Sequence, residues 1–81
     1  MYYTYILKSL KNDRYYTGST DNLNKRLCEH NSGRSKYTRS TRPFKLMHYE
    51  TFQSRAEAVQ REKYFKTGKG REKFKKLIMG L

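Results

Sequence analysis

Eighty-one residues leave room for one ordinary domain with a thin core, and Cys28, the sole cysteine, excludes an internal disulfide and a cysteine zinc cluster. Nineteen Lys and Arg against seven Asp and Glu give a net charge of +12, which strains a small fold by self-repulsion and points to a polyanion partner. No stretch approaches the roughly 20 apolar residues of a membrane span, and Met1–Leu10 lacks the charge-then-apolar layout of a signal peptide, so a cytoplasmic setting without membrane contact is expected.

Eight Tyr and four Phe argue for a folded chain, because disordered chains are poor in aromatics and Tyr fills core volume while keeping a polar tip. Tyr2–Leu7 is aromatic and β-branched and reads as a strand. Lys11, Asn12 and Asp13 carry turn chemistry, and Arg14–Gly18 reads as the second strand of an antiparallel hairpin. Asp21 is the predicted cap of a helix from Asn22 to His30, with Asn31, Ser32 and Gly33 as its stop. Gly33–Pro43 is polar and basic and reads as an ordered, exposed loop. Lys45–Phe52 reads as a third strand. Ser54 and Glu57 form a capping box for a helix that reaches Thr67 and stops at Gly68. Gly70 then separates a last basic helix, Arg71–Met79. The order β-β-α-β-α-α predicts a single α+β domain over residues 1–81, a three-stranded, mainly antiparallel sheet flanked by helices.

Several positions invite chemistry. At about 100° per residue, Ala58, Val59 and Phe65 share an apolar stripe, and Glu62 falls in its middle. A carboxylate there is costly unless a cation or hydrogen bonds meet it. It serves either as partner to a nearby Arg or Lys or as a ligand for Mg²⁺, which is held by one or two carboxylates plus water and phosphate oxygens. Arg26 and His30, four residues apart beside Leu23 and Leu27, share a helix face. Arg26 suits a phosphate through its planar fork, but a solvated arginine and a hydrogen-bonded histidine at a helix end are the more common situation for such residues. Period-two alternation puts Tyr3, Tyr5 and Leu7 on one strand face and Tyr16 and Gly18 on a face of the next, so Tyr5 and Tyr16 can project to one side. Gly18 permits close approach of another backbone or of a ligand. Most of the tyrosines read as core filler.

The Gly33–Lys45 loop carries Arg34, Lys36, Arg39, Arg42 and Lys45 with no acid. The chain from Lys63 onward adds Lys66, Lys69 and Arg71 among others, with Tyr37, Phe44, Tyr64 and Phe74 interleaved. Cations among aromatics suit phosphate contacts and base stacking, although charge runs are usually only solvated faces. There is no phosphate loop, dinucleotide fingerprint or zinc-protease motif.

Tyr3-Thr4-Tyr5, Tyr16-Thr17-Gly18, Arg26, His30 and Glu62 together resemble the GIY-YIG nuclease superfamily over nearly the whole chain. The resemblance is greatest to small stand-alone members. The same module makes the first cut in bacterial nucleotide excision repair, a DNA repair process, and is the catalytic domain of certain homing endonucleases. The resemblance implies the three-stranded fold read above and a Mg²⁺-dependent (or other divalent-cation-dependent) endonuclease that hydrolyses phosphodiester bonds in DNA. It implies that one of Tyr5 and Tyr16 helps activate the attacking water while the other organises the site. Arg26 would steady the phosphate, His30 would be its companion, and Glu62 would be the single metal ligand. Tyr3 and Thr4 replace the Gly and Ile of the first motif, Thr17 replaces the Ile of the second, and no Asn follows Glu62. Arg34, Lys36, Arg39, Arg42, Lys66, Lys69 and Arg71 are the expected nucleic-acid contacts. Cutting both strands would need a weak homodimer or a second encounter. The competing readings are a non-catalytic nucleic-acid-binding module on the same scaffold and a basic face for an acidic partner protein.

Overall fold

A computed structural model describes residues 1–34 and 38–79. The elements are β1 (Tyr2–Ser9), β2 (Tyr15–Thr20), α1 (Leu23–Ser32), a short 3-10 turn at Arg39–Thr41, β3 (Phe44–Phe52), α2 (Arg55–Phe65) and α3 (Gly68–Met79). The strands pair antiparallel in the order β2-β1-β3. The expected α+β fold and its β-β-α-β-α-α order are those observed.

The central strand explains the layering. Thr4, Tyr5, Ile6 and Leu7 are consecutive and all buried, so β1 is covered on both faces. Tyr5 and Leu7 pack with Phe44, Leu23 and Leu27 on the α1 side. Ile6 packs with Phe65 and Phe74 on the α2–α3 side. Each fully buried Ile or Leu side chain contributes about 1.5–3 kcal/mol. Thr4 is tolerated on the second face because its hydroxyl donates to the Ala58 carbonyl of α2 at 2.6 Å. This bond ties the sheet to α2 and removes the desolvation cost of the hydroxyl.

β3 carries a bulge. Ile6 faces His48 but Leu7 faces Leu46, so Met47 is an extra residue. The insertion interrupts the alternation: Phe44 and Leu46 join the α1-side core, while Met47 packs with the Ile6 cluster on the same side as its neighbour His48, the residue paired with Ile6.

Three local readings require correction. The cap of α1 is Asn22, not Asp21: Asn22 has extended backbone (φ −142°, ψ 96°) and its Oδ1 accepts the Lys25 N–H at 3.1 Å. The helix begins at Leu23, so Asp21 stands one residue too early and instead lies 3.7 Å from Arg55. Gly68 and Gly70 do not interrupt the chain; both belong to α3. Thr67 caps that helix by accepting the Gly70 N–H at 3.0 Å. A methyl group at Gly70 would overlap the Tyr64 carbonyl, so glycine there allows α3 to abut the last turn of α2. The Gly33–Pro43 loop also contains the 3-10 turn, bound to β1 through the Ser9 hydroxyl, which donates to the Thr41 carbonyl at 2.5 Å. Gly33 does end α1, with φ 84° and its N–H on the Glu29 carbonyl.

Candidate active site

Tyr5 is placed by the pairing of β1 with β2. Its direct partner is Gly18, not Tyr16, which lies opposite Leu7. The two tyrosines are therefore diagonal neighbours on the α1 face, with ring centroids 6.5 Å apart. Gly18 supplies the space: a Cβ there would lie 2.5 Å from the Tyr5 Oη. The group that comes close to this glycine is the Tyr5 side chain rather than the backbone or ligand expected from the sequence.

His30 reaches the same place from the last turn of α1. It is completely buried, with Nε2 3.1 Å from the Tyr5 Oη and Nδ1 2.7 Å from the Thr38 Oγ1. Its ring meets Tyr16 edge-on at 4.9 Å. Burial, reinforced by the nearby Arg26 cation, lowers its pKa to about 4. At neutral pH the imidazole is uncharged, so one ring nitrogen donates and the other accepts. Tyr5, His30 and Thr38 then form one directional hydrogen-bonded chain.

Arg26 sits one helical turn before His30 and is partly exposed. Its Nη1 lies 3.3 Å from Glu29 Oε2, and its guanidinium also faces the Tyr5 and Tyr16 phenols. Hydrogen bonding to Tyr5 raises its already high pKa. Burial pushes the Tyr5 phenol up to about 12 despite the opposing effect of Arg26. Tyr5 therefore remains protonated at neutral pH.

Glu62 approaches from the other side of the sheet. β2 is an edge strand, and its Tyr15, Thr17 and Ser19 face α2 and α3 while Tyr16 and Gly18 face α1. The Ser19 hydroxyl donates to Glu62 Oε1 at 2.8 Å, and Lys66 Nζ donates to Oε2 at 2.9 Å. The Glu62 charge is near enough to act on the Tyr5 phenol. Of the predicted apolar stripe, Ala58 and Phe65 are buried and Val59 is half-buried. Glu62 occupies its rim, where the costly carboxylate finds a hydroxyl and a lysine. Among the described residues no group of three or more His, Cys, Asp and Glu could hold a metal. The fit is therefore to a hard cation bound through one carboxylate, with an all-oxygen donor set and its remaining positions left to water and phosphate.

The cations predicted to meet nucleic acid have different surroundings. Arg39 Nε donates to the Gly33 carbonyl at 3.0 Å, and the Arg42 guanidinium covers the same glycine. Lys66 pairs with Glu62. Arg34 and Lys69 are exposed, and Arg71 lines a cavity beside β2. Lys36 and Tyr37 lie outside the described residues. Sequence reasoning missed Ser19 and Thr38, the residues that position Glu62 and His30. Extending the second strand by two residues would have placed Ser19 in register with Tyr15 and Thr17; Thr38, in an irregular loop, carries no periodic signal.

Residues 1–76 match the GIY-YIG catalytic domain. A UPF0213 protein of Clostridium perfringens is 49% identical over 67 residues, covering 82% of this chain and 71% of the relative. A UPF0213 protein of Staphylococcus haemolyticus is 41% identical over 75 residues, covering 91% and 90% respectively. The solution NMR structure of a UPF0213 protein from Bacillus halodurans superposes with a TM-score of 0.56 at 36% identity, over 95% of this chain and 85% of that one. With the motif tyrosines on adjacent strands and the arginine, histidine and glutamate brought around them, the chain belongs to the GIY-YIG nuclease family, among its small UPF0213 members.

Proposed function

We propose that this protein is a divalent-metal-dependent endonuclease that hydrolyses phosphodiester bonds in DNA. The observation that carries the reading is the clustering of the Tyr5 and Tyr16 phenols around the buried His30 imidazole, one helical turn from Arg26, with Glu62 held by Ser19 of the same β2 strand. An anionic phosphate beside Arg26 is stabilised by a charge-assisted, bidentate contact. The net charge of +12 favours its arrival.

The two tyrosines divide the work according to burial. Tyr5 is buried and held by His30, so it orients the site rather than exchanging protons with solvent. Tyr16 is partly exposed beside Arg26, so it is the phenol that an attacking water could reach from solvent and hydrogen-bond to. Neutral His30 fixes the Tyr5 phenol without adding a second cation next to Arg26. Glu62, with Ser19 beside it, would hold Mg²⁺, which when bound supplies charge stabilisation at the phosphate and leaving oxygen. Lys66 must leave Glu62 for that to happen, a modest cost because the ion pair is largely exposed on the lysine side.

Supercoiled plasmid and flap, branched and single-stranded DNA, each with Mg²⁺ or EDTA, test the proposal alongside Glu62→Gln and Arg26→Ala. Cutting should require metal and vanish in Glu62→Gln, while DNA binding persists. Arg26→Ala should slow cutting by about 100-fold or more, as loss of a transition-state donor does. Cutting that survives Glu62→Gln would refute the role of that carboxylate. A second reading is favoured by the occupied state of Glu62, whose two oxygens already accept from Ser19 and Lys66: tight binding with no cutting under any metal would identify a binding module.

A further inference from the structure

Outside the tyrosine cluster, a cavity of about 410 Å³ opens between the free edge of β2 and α3. Its size is within the range of about 300–1,000 Å³ typical of small-ligand sites. Tyr15 and Phe74 meet in it edge to face, with centroids 5.0 Å apart and planes at 84°. Tyr15 is 38% exposed while Phe74 is buried behind it, so the Tyr15 ring is the aromatic surface open to solvent and Phe74 holds it edge-on. Ile78 adds an apolar wall, while Lys66, Arg71 and Lys75 supply cations and no acidic residue lines the space. Helical spacing explains the grouping: Arg71, Phe74, Lys75 and Ile78 fall on one face of α3.

We propose that this groove receives an unpaired base of a DNA strand, stacked on the Tyr15 ring that Phe74 supports, with Arg71 and Lys75 on the adjoining phosphates. Cations around an aromatic floor match the two parts of a nucleotide. A base within a duplex presents only its edges to such a corner, so the groove selects single strands, flaps and frayed ends. The groove also borders the candidate active site. Lys66 lines the cavity and pairs with Glu62, and Tyr16 contributes to the cavity wall and to the tyrosine pair. A strand anchored here would run toward Glu62, which gives the endonuclease a preference for a scissile phosphate near unpaired nucleotides. This inference rests on the proposed nucleic-acid substrate, but its test does not need cutting.

The probe is a single-stranded DNA dodecamer with one 2-aminopurine, titrated in EDTA and read by anisotropy and by fluorescence quenching, beside a blunt duplex of the same length. Binding to the native protein should quench the base. Tyr15→Ala should weaken single-strand binding by about tenfold and abolish the quenching, Tyr15→Phe should preserve both, and duplex binding should change little. Because Tyr15→Ala also removes a contact with Phe74, Lys75→Glu provides a second variant on an exposed helix position, with Lys73→Glu as the same charge change outside the groove. Lys75→Glu should weaken single-strand binding more than Lys73→Glu. Native affinity and quenching in folded Tyr15→Ala, or equal effects of the two lysine variants, would overturn the proposal. Failure to cut DNA in the presence of metal leaves this outcome intact, and failure of the groove leaves Glu62-dependent nicking intact, so the two readings fall separately.

Discussion

Acid should destabilise this protein through His30 in particular. The folded chain holds that imidazole neutral down to about 4, because it is buried and faces Arg26. Unfolding returns it to the ordinary value of about 6.5. Between these values the unfolded chain binds a proton that the folded chain refuses, so stability falls as pH falls. The full contribution is present above about 6.5, declines through the interval and is lost below about 4. At about 1.36 kcal/mol per pH unit, the gap is worth about 3 kcal/mol. That is a large fraction of the roughly 5–15 kcal/mol of a typical domain. Urea midpoints followed by circular dichroism from pH 7.5 to 4 measure the slope. His30→Gln retains hydrogen-bonding capacity but cannot titrate. It should be less stable than the parent at pH 7 and lose less stability on acidification, since all carboxylates are common to both proteins. Proton NMR of the imidazole should show its midpoint well below 6.5. Parallel pH slopes for the two proteins, or protonation of His30 at 6.5 or above, would refute the reasoning.

Gly18→Ala should separate positioning from binding. Its methyl would lie 2.5 Å from the Tyr5 Oη, so the phenol must swing away from His30; nicking should fall by at least about tenfold with DNA affinity nearly unchanged, and equal nicking would show that the Tyr5–His30 contact is dispensable. Glu50→Gln probes the opposite side of the sheet. Burial raises the Glu50 pKa, but hydrogen bonds from Arg61 and His48 outweigh it and hold the carboxyl below its usual value. The variant should lose about 1 kcal/mol near neutral pH, less than a fully buried charged bond because these groups are partly solvated. The depressed pKa makes this contribution available above about 4.5 and lost on further acidification, so the parent and variant denaturation midpoints should converge there; a constant gap down to pH 3 would contradict it.

Long-period features of the fold were legible because they are written in patterns of residue type. The aromatic hairpin, the Ser54–Glu57 box and the Gly33 stop each coincide with the observed element or cap. The anomalous carboxylate is legible in part: the spacing puts Glu62 in the middle of an apolar stripe, whereas the structure puts it at the rim, where Ser19 and Lys66 meet it. What escaped depends on contacts between distant segments. Gly70 reads as a helix breaker until α3 is seen pressed against the Tyr64 carbonyl. The β3 bulge places both Met47 and His48 on the Ile6 side of the sheet while Leu46 stays with Leu7, a break in alternation that only the pairing with β1 reveals. The surroundings of the loop cations were equally invisible, since Arg39 and Arg42 are directed by the end of α1.

The strand order β2-β1-β3 has a consequence for how the site comes into being. The β1–β2 hairpin joins neighbouring segments and closes at little entropic cost, bringing Tyr5 and Tyr16 together early. Pairing of β1 with β3 must bridge the intervening hairpin, α1 and the basic loop, the slower kind of contact. Only that step seals Phe44 and Thr38 around His30. The nascent chain would thus possess its tyrosine pair before it has a buried imidazole to hold it, and completion of the nuclease centre would report the last long-range closure of the fold.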